Sequence, residues 1–141
     1  MVDLRVVVDT SVFVAGYLTK NPDSSSALII SIWRNGGFKL VWSPQLLEEL
    51  AGQLLDKGIP EELVLDLIRT IGKIGLYIPG AYEATRLDHV DPKDNMFLAA
   101  AYESRAHFLV STDKKHILPL KHFHGTHIVH PSLFLRTILS R

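Results

Sequence analysis

The run Arg5-Val6-Val7-Val8-Asp9 limits this chain more than any other segment. Consecutive β-branched residues suit a pleated surface, and an apolar run that does not alternate with polar residues suits a strand buried on both faces. Such a strand needs cover above and below, which a layered α/β fold supplies. The rest of the chain provides the matching alternation. Ser26 to Asn35 reads as a helix stopped by Gly36-Gly37, with Ser24-Ser25-Ser26 where an N-cap is useful. Phe38 to Trp42 reads as a second strand. Ser43-Pro44 then opens a helix, with Ser at N-cap and Pro at N1, that runs to about Lys57 and stops at Gly58. Pro60-Glu61-Glu62 opens a third helix, with acids where the dipole favours them and an apolar stripe of Leu63, Leu67, Ile71 and Ile74.

Leu76 to Ile78 fits a short edge strand, and Gly80 to Val90 a polar connector. Asp91-Pro92 caps a helix from about Lys93 to Ser104 with Phe97, Leu98 and Ala101 on its core side. His107 to Ser111 and Thr126 to His130 are the remaining strands, and Pro131 starts a C-terminal helix carrying Leu133, Phe134 and Ile138. No repeat or internal boundary interrupts this order. The expected architecture is one α/β domain over 1–141, with a mainly parallel sheet.

Composition narrows the function classes. The chain has 141 residues, 47% of them apolar and 21% charged, which suits an ordinary globule able to bury a core without staples. There is no cysteine, so disulfides, thiolate zinc sites and cysteine nucleophiles are excluded. Fifteen basic residues balance fifteen acidic ones, which excludes a strongly basic nucleic-acid binder but not a local basic patch. No run approaches the ~20 apolar residues of a membrane span, and the N-terminus carries Asp3 and Arg5 rather than a cleavable apolar core. The expected location is the cytoplasm, with no membrane association.

In a parallel sheet, ligands bind beyond the carboxyl ends of the strands. Asp9 ends the first strand, and Asp113 lies two residues past a later one. Asp94 sits in the first turn of the helix feeding that later strand, and Glu48 and Glu49 lie one turn into the helix after the second strand. The two glutamates are about 100° apart on a helix, so only one of them faces the crevice. Each acid has a plain structural role available: Asp9 as a turn or cap residue, Asp91 as an N-cap, Asp94 as a dipole complement. Together they bring several carboxylates to one rim. That arrangement requires protons or a cation. Oxygen ligands without Cys suit Mg²⁺ or Mn²⁺, and the corresponding chemistry is metal-assisted phosphodiester hydrolysis.

Four ordered motifs carry a family resemblance. D-T-S-V-F-V at 9–14, S-P-Q-L-L-E-E-L at 43–50, D-P-K-D-N-M-F-L-A-A-A at 91–101 and L-V-S-T-D-K-K-H-I-L at 109–118 resemble those of the PIN-domain nucleases. The closing I-V-H-P-S-L-F-L at 128–135 is similar to the VapC-like subgroup, toxins of type II toxin–antitoxin systems. The resemblance implies a PIN-like three-layer α/β/α fold and an acidic quartet at Asp9, Glu49, Asp94 and Asp113. Glu49 is preferred to Glu48 because it directly precedes Leu50. Of the quartet, Asp9, Asp94 and Asp113 are the implied metal ligands. Thr10 and Ser11 would assist near the metal, Ser111 would orient Asp113 or a water, and Asp91 would be at most an outer acid. It further implies single-stranded RNA as substrate, a cognate antitoxin as partner and a homodimer. Lys114 and Lys115, which follow Asp113, are candidates for contact with flanking phosphates and equally fit ordinary surface lysines after a strand. The chain departs from the family at Thr112, where Gly is common, and at Ser11, where Asn is common; neither change removes a carboxylate.

Other readings remain open at this level. His116, His122, His124, His127 and His130 could in principle hold zinc, although their spacing fits no standard finger, or could gain charge below about pH 6.5 and attract RNA. A receiver-like phosphoacceptor domain is disfavoured by the single Asp after the first strand. A non-catalytic PIN module and a PIN nuclease of RNA processing share the motifs and differ only in turnover and partner.

Overall fold

The structure, a computed structural model, describes residues 3–84 and 94–140. Six strands form one sheet in the order β3-β2-β1-β4-β6-β5. They are β1 (Arg5–Val8), β2 (Lys39–Trp42), β3 (Leu76–Tyr77), β4 (Phe108–Val110), β5 (His122–Phe123) and β6 (Thr126–Val129). Every pairing is parallel except β5 with β6, an antiparallel pair at one edge. The sheet is flanked by α1 (Thr10–Leu18), α2 (Ser25–Arg34), α3 (Pro44–Asp56), α4 (Glu61–Ile74), α5 (Asn95–Ser104) and α6 (Pro131–Leu139).

β1 lies at the centre, and its alternation divides the core. Val6 and Val8 face one apolar cluster, packed with Ile29, Trp33, Leu54, Leu67 and Phe134 from α2, α3, α4 and α6. Val7 faces the other, packed with Phe97, Leu98 and Ala101 of α5 and with Leu109, Ile117 and Ile128. A strand buried on both faces explains why the run shows no polar alternation. The expected three-layer α/β/α architecture is observed.

The chain leaves β1 toward β2 and β3 on one side, then returns to β4 and β6 on the other. The strand order therefore reverses between β1 and β4, and the crevice at such a switch point lies beyond their carboxyl ends.

Local differences from the sequence expectations have physical causes. Helix α1 is absent from the sequence reading because T-S-V-F-V-A-G-Y-L is apolar on nearly every side and has no 3.6-residue period to read. Gly16 lets α1 approach α2 closely, since a Cβ there would collide with the Ile30 side chain. On α4 the buried stripe is Val64, Leu67 and Ile71, whereas Leu63 and Ile74 are 47% and 40% exposed. The expected start of α5 at Asp91-Pro92-Lys93, including Asp91 as cap or outer acid, lies outside the described residues, as does the connector beyond residue 84. Among the described residues, no helix is long and apolar enough to cross a membrane.

Candidate active site

Asp9 is fixed by the end of β1 and the start of α1 together. Its backbone N–H donates to the Val110 carbonyl at 2.9 Å, which ties it to β4. Its side chain accepts the Ser11 N–H at 3.2 Å, an N-cap bond for α1. Capping and candidate site chemistry thus share one carboxylate. The other oxygen accepts the Ser111 hydroxyl at 2.6 Å. Only 5% of Asp9 is exposed. That burial pushes its pKa above the usual carboxylate value, against the Ser111 and Ser11 hydrogen bonds, and the nearby Asp113 charge adds to the rise.

Ser111 is fully buried and joins two acids, because its Oγ also accepts the Asp113 N–H at 3.0 Å. It therefore orients Asp113 through the backbone and Asp9 through the carboxylate. Ser11 makes a similar link, accepting the Thr112 N–H at 3.4 Å. Thr112 is not among the described residues with positive φ, so this loop does not require the glycine common in the family.

Asp113 begins the turn after β4. One carboxylate oxygen accepts the N–H groups of Lys115 and His116, each at 3.0 Å. The other lies 3.6 Å from Nδ1 of His116. The Asp94 side chain is within hydrogen-bond contact. Burial raises the pKa of Asp113, but the His116 and Lys115 N–H bonds, the Asp94 contact and the His116 charge outweigh it. The net effect holds Asp113 below the usual value. Asp94 occupies the N-cap position of α5 yet makes no side-chain cap bond there. It thus stands one position before the first turn in which the sequence pattern expects it.

The glutamate pair divides as helical geometry requires. Glu49 is half-buried and lines the same groove as Asp9, Asp94 and Asp113, whereas Glu48 points to an apolar groove between α3 and α4. The acidic groove encloses about 420 Å³, and Thr10 and Ser11 also line it. Two polar lining residues, Gln53 and Lys57, lie outside the sequence motifs. They follow Glu49 at successive four-residue steps on α3, and that spacing was the available signal. Lys114 and Lys115 are exposed beside Asp113 and do not line the groove.

The late histidines do not gather. His122 pairs with His127 across β5 and β6, His124 sits in the intervening turn at φ 48°, and His130 accepts the Ser132 N–H at the start of α6. Among the described residues, the group able to hold a metal ion is instead Asp94, Asp113 and His116, whose ligand atoms lie within 4.8 Å of one another. Two carboxyl groups in hydrogen-bond contact, next to a third that burial disfavours as an anion, need either protons or a cation. These residues fit a divalent ion.

The PIN domain family model (PIN_3) matches residues 5–115. The chain belongs to the PIN domain family. Solved structures share the fold of this PIN domain at low identity. VapBC2 from Rickettsia felis, bound to a DNA fragment from their promoter, aligns at 16% identity and TM-score 0.60, covering 90% of this chain and 98% of that one. PAE2754 from Pyrobaculum aerophilum aligns at 10% identity and TM-score 0.62, covering 98% and 91%. VapC20 of Mycobacterium tuberculosis, described as a Sarcin-Ricin loop cleaving toxin, aligns at 13% identity and TM-score 0.55, covering 86% and 98%. No curated protein matches the sequence.

Proposed function

We propose that this PIN domain is a divalent-metal-dependent endoribonuclease that hydrolyses phosphodiester bonds in single-stranded RNA, with Asp9, Glu49, Asp94 and Asp113 as its acidic quartet. The observation that carries the reading is the approach of the Asp94 and Asp113 carboxylates, with oxygens within 4.8 Å of each other, in a groove also lined by Asp9 and Glu49. Asp9, Asp94 and Asp113 would hold Mg²⁺ or Mn²⁺, and Glu49 would complete the site from the α3 wall. When bound, such an ion neutralises charge on phosphodiester oxygens and promotes ionisation of water. The chain's own residues do the positioning. Ser111 keeps Asp9 and Asp113 in fixed relation, and Ser11 holds the loop that follows β4. Thr10 lines the groove beside Asp9 and would assist near the metal, and Lys114 and Lys115 would meet flanking phosphates.

The same reading takes the 141 residues as one domain that acts in the cytoplasm as a toxin. It is a homodimer restrained by a cognate antitoxin. Support comes from the sequence motifs and from the fold shared with VapBC2 and VapC20. The test is cleavage of a labelled single-stranded RNA with Mn²⁺ or Mg²⁺, comparing wild type with Asp94→Asn, which keeps shape and removes one ligand charge. Metal-dependent cleavage by wild type alone is the expected result. Equal cleavage by both would remove Asp94 from the site, and cleavage by neither would favour a binding module.

A further inference from the structure

His116 lies outside the quartet, yet the turn after β4 directs it toward the same ion. The turn is rigid for local reasons. The Leu118 N–H donates to the Asp113 carbonyl at 2.9 Å, and Ile117 is fully buried, so the backbone on either side of His116 is held. One oxygen of Asp113 is occupied by the Lys115 and His116 N–H groups. The remaining oxygen is the one that faces the imidazole. The ring is 31% exposed and the Asp113 side chain 23%, so an ion can reach both from solvent while water still completes its shell. Asp94 closes the third side, and one ligand atom from each residue fits within 4.8 Å.

We propose that His116 supplies an imidazole nitrogen to the divalent ion held by Asp94 and Asp113, which makes the ligand set mixed nitrogen and oxygen and favours Mn²⁺ over Mg²⁺. The inference rests on the metal site proposed above and revises its oxygen-only ligand set. Mg²⁺ is a hard ion that prefers oxygen and keeps several waters, while first-row transition ions accept imidazole more readily. Replacing one oxygen donor by nitrogen therefore penalises Mg²⁺ selectively. The alternative role of His116, a protonated counter-ion to Asp113, makes the opposite prediction, because a cation in that position would compete with a metal.

The test is pulsed electron paramagnetic resonance of bound Mn²⁺ together with calorimetric titration of Mn²⁺ and Mg²⁺, on wild type, His116→Gln and His116→Asp. Wild type is expected to show nitrogen modulation on the Mn²⁺ signal, which changes when histidine is labelled with ¹⁵N and vanishes in His116→Gln. Mn²⁺ affinity should fall about ten- to a hundred-fold in that variant. His116→Asp should bind without nitrogen modulation and shift the preference toward Mg²⁺. The wild-type spectrum needs no substitution, so it decides the matter even if a variant fails to fold. Mn²⁺ bound by wild type without nitrogen modulation, or equally well by His116→Gln, would overturn the role of His116 alone. Absence of Mn²⁺ binding by wild type would overturn the acidic site and this inference with it.

Discussion

Arg5 and Asp9, at the two ends of β1, are four residues apart and are built into opposite arrangements. At the N-terminal end, the Arg5 N–H donates to Nδ1 of His107 at 3.0 Å, which leaves the ring proton of a neutral imidazole on Nε2. The Arg5 guanidinium donates to the Ser104 and Arg105 carbonyls at 3.0 and 2.9 Å and pairs with Asp3 at 3.3 Å. A cation thus meets the carbonyls at the C-terminus of α5, where the helix leaves acceptors open and its dipole is negative. At the C-terminal end, Asp9, Asp94 and Asp113 converge around the Ser111 hydroxyl, a few backbone N–H groups and the His116 imidazole. Helix α5 links the two regions, with Asp94 before its first residue and Arg5 on its last carbonyls. One edge of the sheet therefore uses opposite charges to hold the fold. The other accumulates like charge that a ligand would relieve.

That contrast predicts opposite separations of activity from stability. Asp9→Asn should lower metal-dependent RNA cleavage by about a hundredfold or more. It should leave the metal-free protein as stable as wild type or more so, because the amide keeps an acceptor for the Ser11 N–H and carries no buried charge. Cleavage assays paired with thermal melts in a chelator would check both halves, and a clear loss of metal-free stability would count against stored repulsion. Arg5→Ala should do the reverse, costing about 1–3 kcal/mol of stability through its lost charge-assisted hydrogen bonds. Activity per folded molecule should be unchanged. Urea denaturation and cleavage rates corrected for folded fraction measure the two terms.

The pH dependence sharpens the same comparison. Burial raises the folded pKa of Asp9 above 3.8, so its contribution to stability is fully present below 3.8 and is lost as pH rises through the folded pKa. Asp113 is lowered, so its contribution is present above 3.8 and is lost as pH falls through its folded pKa. In a chelator, the Tm of wild type relative to Asp9→Asn should therefore decline as pH rises from below 3.8 through the raised pKa. Added Mn²⁺ should reverse that decline, because the ion compensates the ionised group. A Tm difference that stays flat with pH in the chelator would show that Asp9 ionises in the folded state as freely as in the unfolded one.

Legibility in the sequence followed the same physics. β1 was readable because three valines in a row have few alternatives, and α3 because Ser43-Pro44 and Gly58 punctuate it. Helix α1 was not, because an element apolar on nearly all sides loses its period, and β5 was not, because His122-Phe123 is no apolar run, unlike the equally short β3 with Ile78 after it. The hairpin there turns through His124 and Gly125, both at positive φ, so the glycine of the turn is present in the sequence but has no strand pattern beside it to mark a hairpin. At the site, the strand-end rule selected Asp9 and Asp113, and helical geometry allowed only one of Glu48 and Glu49. The approach of His116 to Asp94 depends on how the turn after β4 packs against α5, which no local spacing encodes.

Lys57 gives the smallest expected effect and the finest test of the contrast. It is exposed at the C-cap of α3, yet it lines the groove with Glu49 and Gln53, two turns from the glutamate along one helix face. Among the described residues that line the groove it is the cation, set in an acidic cleft that must still admit a polyanion. A lysine there would attract substrate phosphate without taking part in hydrolysis, since solvent screens it and no ion pair holds it in one geometry among the described residues. Lys57→Ala should therefore raise KM for RNA by a few-fold with kcat unchanged, and should reduce the salt dependence of binding by about one phosphate contact. Steady-state cleavage at several ionic strengths separates these quantities. A fall in kcat at constant KM would move Lys57 from substrate attraction into the reaction itself.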